Sequence, residues 1–247
     1  GTIYINGAST VAVISDCTVL GGWNASWNSD TPTWGWGGTM FFRGGAKVAL
    51  VRTKILSAGL SGSWYTAAPS YCSGSIDVRD AATTLAMTNV LHAGAVKGPC
   101  LGNNGGTINA VNCTFVDTKG GGSQPNSAYV QYGTGSTTTF RNCIVWDNAG
   151  GFLYSGNQGD APSATFSNLQ GTEADEAKHI ISADPKFEDA AALDYRLGNA
   201  SPCVNAGDLT GIPRTELDLG GEKRISGANV DLGAYERRQN GLIILLR

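Results

Sequence analysis

The residues best placed to do chemistry are Arg43, Asp77, Arg79 and Asp80. They fall in two similar stretches, GTMFFRGG (38–45) and GSIDVRDA (74–81), in which Arg43 and Arg79 hold equivalent positions. β-Elimination on an acidic glycan needs a base near the substrate proton and a cation to neutralise the uronate. Glycoside hydrolysis needs two carboxylates about 5 to 10 Å apart. Two copies of an Arg with nearby Asp residues, flanked by Arg52 and Lys54, meet the first requirement better than the second. The competing reading is a set of solvated ion pairs laddered across neighbouring strands. The chain has no matched ladder of aspartates, so the balance leans away from an enzyme and, if there is one, towards a polysaccharide lyase.

The aromatic residues give a second signal. Trp23, Trp27, Trp34, Trp36 and Trp64, joined by Tyr65 and Tyr71, crowd into two Gly-rich insertions, with Trp146 at the root of a later one. Such rings stack on sugars, anchor protein interfaces or fold back to bury themselves, and all three readings stay open. Among the cysteines, Cys113 and Cys143 read as small buried residues, and Cys72 and Cys100 as a candidate disulfide. His92 and His179 are isolated, and no Cys/His spacing suggests zinc. No cofactor is expected. The loop aspartates Asp184, Asp194, Asp208, Asp218 and Asp231 could bind Ca²⁺, but hydrogen bonding with Arg196 and Arg224 as counter-charges fits their irregular spacing better.

These residues hang on a recurring strand. Its copies AVISDCTVL, ALVRTKIL, LAMTNVL, AVNCTFV, FRNCIVW and TFSNLQ align Cys17, Thr53, Thr88, Cys113, Cys143 and Ser167, at intervals of 36, 35, 25, 30 and 24 residues. Two residues on, the same register gives Val19, Ile55, Val90, Phe115, Val145 and Leu169. Alternate residues of a strand share a face, so both columns point inward if every copy is extended. Repeats of this length, short β-branched strands and Gly-rich turns predict an all-β, parallel β-solenoid of about six coils over residues 1–170. Residues 171–240 then form a loop-rich cap, and 241–247 a hydrophobic β-prone tail. The insertions leave at one corner and should stack along one edge.

Composition narrows the partners. The net charge of −3 gives no basic footprint for nucleic acid, and no apolar run approaches the roughly 20 residues needed for membrane insertion. Gly1-Thr-Ile-Tyr-Ile is already strand-like, as expected of a processed or truncated start in a secreted chain.

The C-terminal third carries ordered motif pieces: Asp184-Pro185-x-Phe187, Asp194-Tyr195-Arg196-Leu197, Ser201-Pro202-Cys203-x-x-Ala206-Gly207-Asp208, Arg224, and Asp231-x-Gly233-Ala234-Tyr235-Glu236. This segment resembles the C-terminal part of the bacterial right-handed parallel β-helix repeat proteins, a pectate-lyase-like group mostly secreted or surface-anchored. The resemblance implies that fold and an extracellular or cell-surface location. It does not imply one activity, because the group includes lyases, hydrolases and adhesins. Its members usually begin with an N-terminal cap, which this sequence lacks. The expectation is therefore a structural or adhesive protein that partners itself, a polysaccharide, or both. Ile3 and Ile5 in an open first coil would meet Leu242, Ile243, Ile244 and Leu245 of a neighbour, giving a head-to-tail fibre.

Overall fold

A computed structural model describes residues 3–21, 39–56, 75–95, 98–119, 127–153 and 161–238. Short strands follow one another in threes. The first triplet is β1 (Ile3–Asn6), β2 (Val11–Ser15) and β3 (Thr18–Leu20), and the second β4 (Met40–Arg43), β5 (Lys47–Val51) and β6 (Lys54–Leu56). The third is β7 (Ile76–Arg79), β8 (Thr84–Thr88) and β9 (Leu91–Ala93), and the fourth β10 (Leu101–Asn104), β11 (Thr107–Val111) and β12 (Thr114–Val116). The fifth is β13 (Tyr129–Gln131), β14 (Thr137–Arg141) and β15 (Ile144–Trp146). β16 (Ser163–Thr165) and β17 (Ser167–Leu169) follow, then β18 (Ile180–Ile181), β19 (Phe187–Asp189) and β20 (Asp194–Leu197).

From β1 to β15, every third strand pairs in parallel. The first sheet runs β1-β4-β7-β10-β13, the second β2-β5-β8-β11-β14-β16, and the third β3-β6-β9-β12-β15-β17-β18. β19 and β20 form a separate antiparallel pair. The protein is thus all-β, with almost no helix and with three parallel sheets that the chain visits in rotation. One apolar core lies among them, built from the alternate inward residues of all three, such as Phe42, Leu50, Ile55, Leu85, Phe115 and Phe140.

The corner between the second and third sheets is made by one left-handed residue in each of the five triplets and one between β16 and β17: Asp16, Arg52, Asn89, Asn112, Asn142 and Phe166, with φ between 44° and 55°. Asn and Asp tolerate that conformation, whereas Arg and Phe adopt it at a cost. Local contacts offset that cost. Arg52 makes a two-pronged pair with Asp16 at 2.6 and 2.8 Å, and Phe166 stacks on His179 with ring centroids 4.2 Å apart.

The same corner corrects the expected alignment. Thr53 lies beside Val90 rather than Thr88, because Leu91 N–H donates to the Thr53 carbonyl at 3.1 Å and Thr114 N–H to that of Val90 at 2.9 Å. Thr88 instead ends β8, paired with Val51 and Val111 in the second sheet. In the next column His92 replaces Val90, between Ile55 and Phe115. A slip of two residues leaves the in/out alternation intact, so hydrophobic pattern alone could not detect it.

The C-terminal segment also differs from the expected cap. Only its beginning closes the stack, where β18 extends the third sheet and Ile180 enters the core. Residues 183–238 run back as a strap along the outer face of the third sheet. Tyr195, Ala234 and Tyr235 pack on Leu91, Ala93 and Val116, while Leu197, Cys203 and Leu232 pack on Ile144. Trp146 lies partly buried under this strap. Gly233 is required here, since its φ is +86° and a Cβ would stand 2.6 Å from Thr114 Oγ1.

At the other end, β1, β2 and β3 are the outermost strands of their sheets. Ile3, Ile5, Ile14 and Val19 are only partly buried, whereas Met40, Phe42, Leu50 and Ile55 in the next triplet are fully buried. Val11, Val13 and Leu20 are 73%, 66% and 70% exposed. Among the described residues no helix is long and apolar enough to cross a membrane.

Candidate functional site

The outer face of the first sheet brings the four candidate residues together. On it the register aligns Tyr4 with Phe41 and Phe41 with Asp77, and beside them Asn6 with Arg43 and Arg79 with Asn104. Arg43 and Arg79 each end a strand one residue beyond the paired Phe42 and Val78, as their equivalent positions in sequence required.

Their pairings differ. Arg79 Nε donates to Asp77 Oδ2 at 2.8 Å, and Asp77 is fully buried. Arg43 Nε lies 3.6 Å from Asp80 Oδ2 at an exposed site. The same Asp80 oxygen accepts from Gly44 N–H at 2.8 Å. Gly44 permits this turn because a Cβ there would stand 2.0 Å from Asn6 Oδ1. Both guanidinium groups lie over the Phe41 ring, at 6.0 Å for Arg43 and 5.8 Å for Arg79. Tyr4, 55% exposed, stacks on Phe41 with centroids 5.5 Å apart and planes 25° from parallel.

The arrangement is an aromatic step flanked by cations, with its two carboxylates already engaged. Such a surface can stack a ring and neutralise an anion on it. Asp77 is poorly placed as a general base, being buried and held by a cation. Tyr4 and Phe41 were not singled out from sequence. The available signal was alternation, since Ile3 and Ile5 face inward and so turn Tyr4 outward.

The other expected site residues separate into two groups. Trp23, Trp27, Trp34, Trp36, Trp64, Tyr65, Tyr71, Cys72 and Leu242, Ile243, Ile244 and Leu245 lie outside the described residues. Cys100 is a buried free thiol with Sγ 3.1 Å from Thr118 Oγ1, and Cys72, its expected partner, lies outside the described residues. Cys113 and Cys143 are buried free thiols on adjacent rungs of the core.

The five loop aspartates bind the strap to itself and to the sheets. Asp184 pairs with Lys186 at 2.7 Å, and Asp194 with Arg196. Each partner holds its carboxyl below the usual range through a direct hydrogen bond. Asp208 pairs with Arg141 at 3.2 Å. Asp218 accepts from the N–H groups of Glu222 and Glu236, both at 2.8 Å. Asp231 accepts from those of Asn205 and Arg237, at 2.7 and 2.6 Å. Among the described residues no three His, Cys, Asp or Glu side chains converge as a metal site.

Arg224 is fully buried, donates to the Asp231 carbonyl and lies 3.8 Å from Glu236 Oε2. Burial pushes Glu236 up to about 7, against hydrogen bonds from Asp231 N–H and Ser226 that favour its carboxylate. Two of the corner asparagines, Asn89 and Asn142, take the strap two levels apart. Asn142 donates to the Asp208 carbonyl and accepts its N–H, at 2.9 and 2.8 Å. Asn89 donates to Glu216 and to the Leu217 carbonyl, both at 2.9 Å. A groove of about 690 Å³ along the strap is lined by paired charges such as Arg196, Glu222 and Arg238.

The chain matches no family model and no curated protein.

Proposed function

We propose that this chain is a right-handed parallel β-helix of about six coils that serves outside the cell or at its surface as a structural, self-associating protein. Rotation through three parallel sheets supports the helix, and right-handed crossover is the strong rule for parallel strands joined in that way. The resemblance of the C-terminal segment supports the location.

The observation that carries the function is the first triplet, which among the described residues is covered by a neighbouring triplet on one side alone. Three parallel edges and a half-buried inner column stand together there, on a stretch (3–21) whose one charged residue is Asp16. Unpaired edges recruit further strands unless charge or cover blocks them. A second copy meets little like-charge repulsion at this surface, and the neighbour's Leu242–Leu245 stretch is the candidate strand.

Sedimentation velocity over a concentration series tests this reading. The full chain should associate. A chain ending at residue 240, and separately a Val11→Lys, Val13→Lys variant, should remain monomeric. Association that is unchanged by both alterations, or a full chain that stays monomeric at its solubility limit, removes the reading.

A second reading rests on the stacked Tyr4 and Phe41 rings beneath Arg43: the first-sheet face holds an acidic glycan without cleaving it. Retardation of the protein in gels containing a uronic-acid polymer should be lost in Tyr4→Ala and in Arg43→Ala. Equal retardation of wild type and variants, or new chain ends in the polymer, counts against it.

A further inference from the structure

His92 is the one imidazole in the core. It is fully buried, and neither ring nitrogen has a hydrogen-bond partner. In the third sheet it stands between Ile55 of β6 and Phe115 of β12. The other strands of its own triplet contribute Ile76 and Val78 from β7 and Leu85 and Met87 from β8 to the same core. The charged side chains of these elements lie outside the core. Lys54 of β6 reaches the Tyr235 ring at 6.0 Å, and Asp77 and Arg79 of β7 pair on the outer face of the first sheet. On the strap side of β9 the charged pair is Asp194 with Arg196. The remaining titratable groups of the core are the Cys100, Cys113 and Cys143 thiols and the Tyr129 phenol.

A buried polar group without a partner is costly, and a buried charge without one far more so. Desolvation accordingly lowers the imidazole to about 4, from an ordinary value of 6.5. The flanking residues of the same short strand, Leu91 and Ala93, face the other way and form the apolar floor under Tyr195, Ala234 and Tyr235. Turning the imidazole outward therefore turns that floor inward.

We propose that His92 is an acid-operated latch: protonation drives the imidazole out of the core, tips Leu91 and Ala93 off the outer face, and releases the strap from the third sheet. The direction follows from the two proton affinities. The opened state takes up the proton first, so the contribution of His92 to the closed state is complete above about pH 6.5 and is lost as pH falls towards 4. Carboxylates held low, such as Asp184 and Asp194, lose their contributions only below that window.

Hydrogen exchange of the strap amides in 194–197 and 230–236 tests the latch. Rates are corrected for their intrinsic pH dependence and compared between wild type, His92→Leu and His92→Met. Between pH 7 and pH 4 the wild type should lose roughly 100-fold of protection relative to the variants, as a shift of this size requires. The comparison with variants cancels the opposing titration of Glu236. Parallel loss of protection in all three proteins overturns the latch. The wild-type ring provides an independent check, since the chain has two histidines and their imidazole resonances are readily assigned. Titration of His92 near pH 6.5 with the strap still protected overturns the latch as well.

Discussion

The two ends of the stack are built from the same kinds of residue and end up in different states. At the far end Ile180 continues the third sheet, joins the core and is almost completely buried. At the near end Ile3, Ile5, Ile14 and Val19 occupy equivalent inner positions and stay partly exposed, with Val11, Val13 and Leu20 open beside them. Residue type does not separate the ends. Nor does position at a sheet's edge, since β18 is an outermost strand too; the inner residues of the first triplet have a neighbouring triplet on one side alone among the described residues.

The comparison can be broken by substitution, and the largest effect belongs to the charge buried within the strap. Glu236→Ala leaves Arg224 without its carboxylate and should destabilise the fold by about 3 to 5 kcal/mol. Urea unfolding measures it, and a loss below about 1 kcal/mol would mean that Arg224 reaches water.

Leu50→Ala removes a fully buried side chain held between Ile14 and Met87, at an expected cost of about 3 kcal/mol. Its direct counterpart at the open end, Ile14→Ala, should cost about 1 kcal/mol in the dilute monomer, because part of its surface is already in water. Equal losses would show that the first triplet is covered in solution.

Asn142→Ala should cost about 2 kcal/mol, combining an unfavourable left-handed backbone with loss of both hydrogen bonds to Asp208. The smallest change is expected for Val13→Lys, within about 0.5 kcal/mol in the dilute protein. It should instead weaken self-association.

Much of this was legible in the sequence. Alternation located the strand copies, and the equivalence of Arg43 with Arg79 survives as a shared position on the first sheet. The third copy was misplaced by two residues because alternation is blind to that slip. The Asn that precedes the small residue in NV, NC and NC, at Asn89, Asn112 and Asn142, was the better marker, since it reports a left-handed corner rather than a face. The same slip puts Val90 at the inward position that His92 occupies between Ile55 and Phe115. The motif aspartates were legible as hydrogen-bonding residues. That they belong to a strap along the side of the stack was not, because the contacts that tie the strap to the sheets, such as those of Asp208 with Arg141 and Asn142, join residues distant in sequence. Tyr4 and Phe41 were overshadowed by the tryptophan-rich insertions, although the alternation in TIYIN already turned Tyr4 outward.

The central claim is that a second copy covers the first triplet. Hydrogen exchange of the amides in Ile3–Asn6, Val11–Ser15 and Thr18–Leu20, followed as protein concentration is raised, tests it most directly. The account expects these amides to gain protection with concentration while those of β8 and β11, already paired on both sides, stay constant. First-triplet amides whose exchange does not change between the most dilute and the most concentrated samples would contradict it.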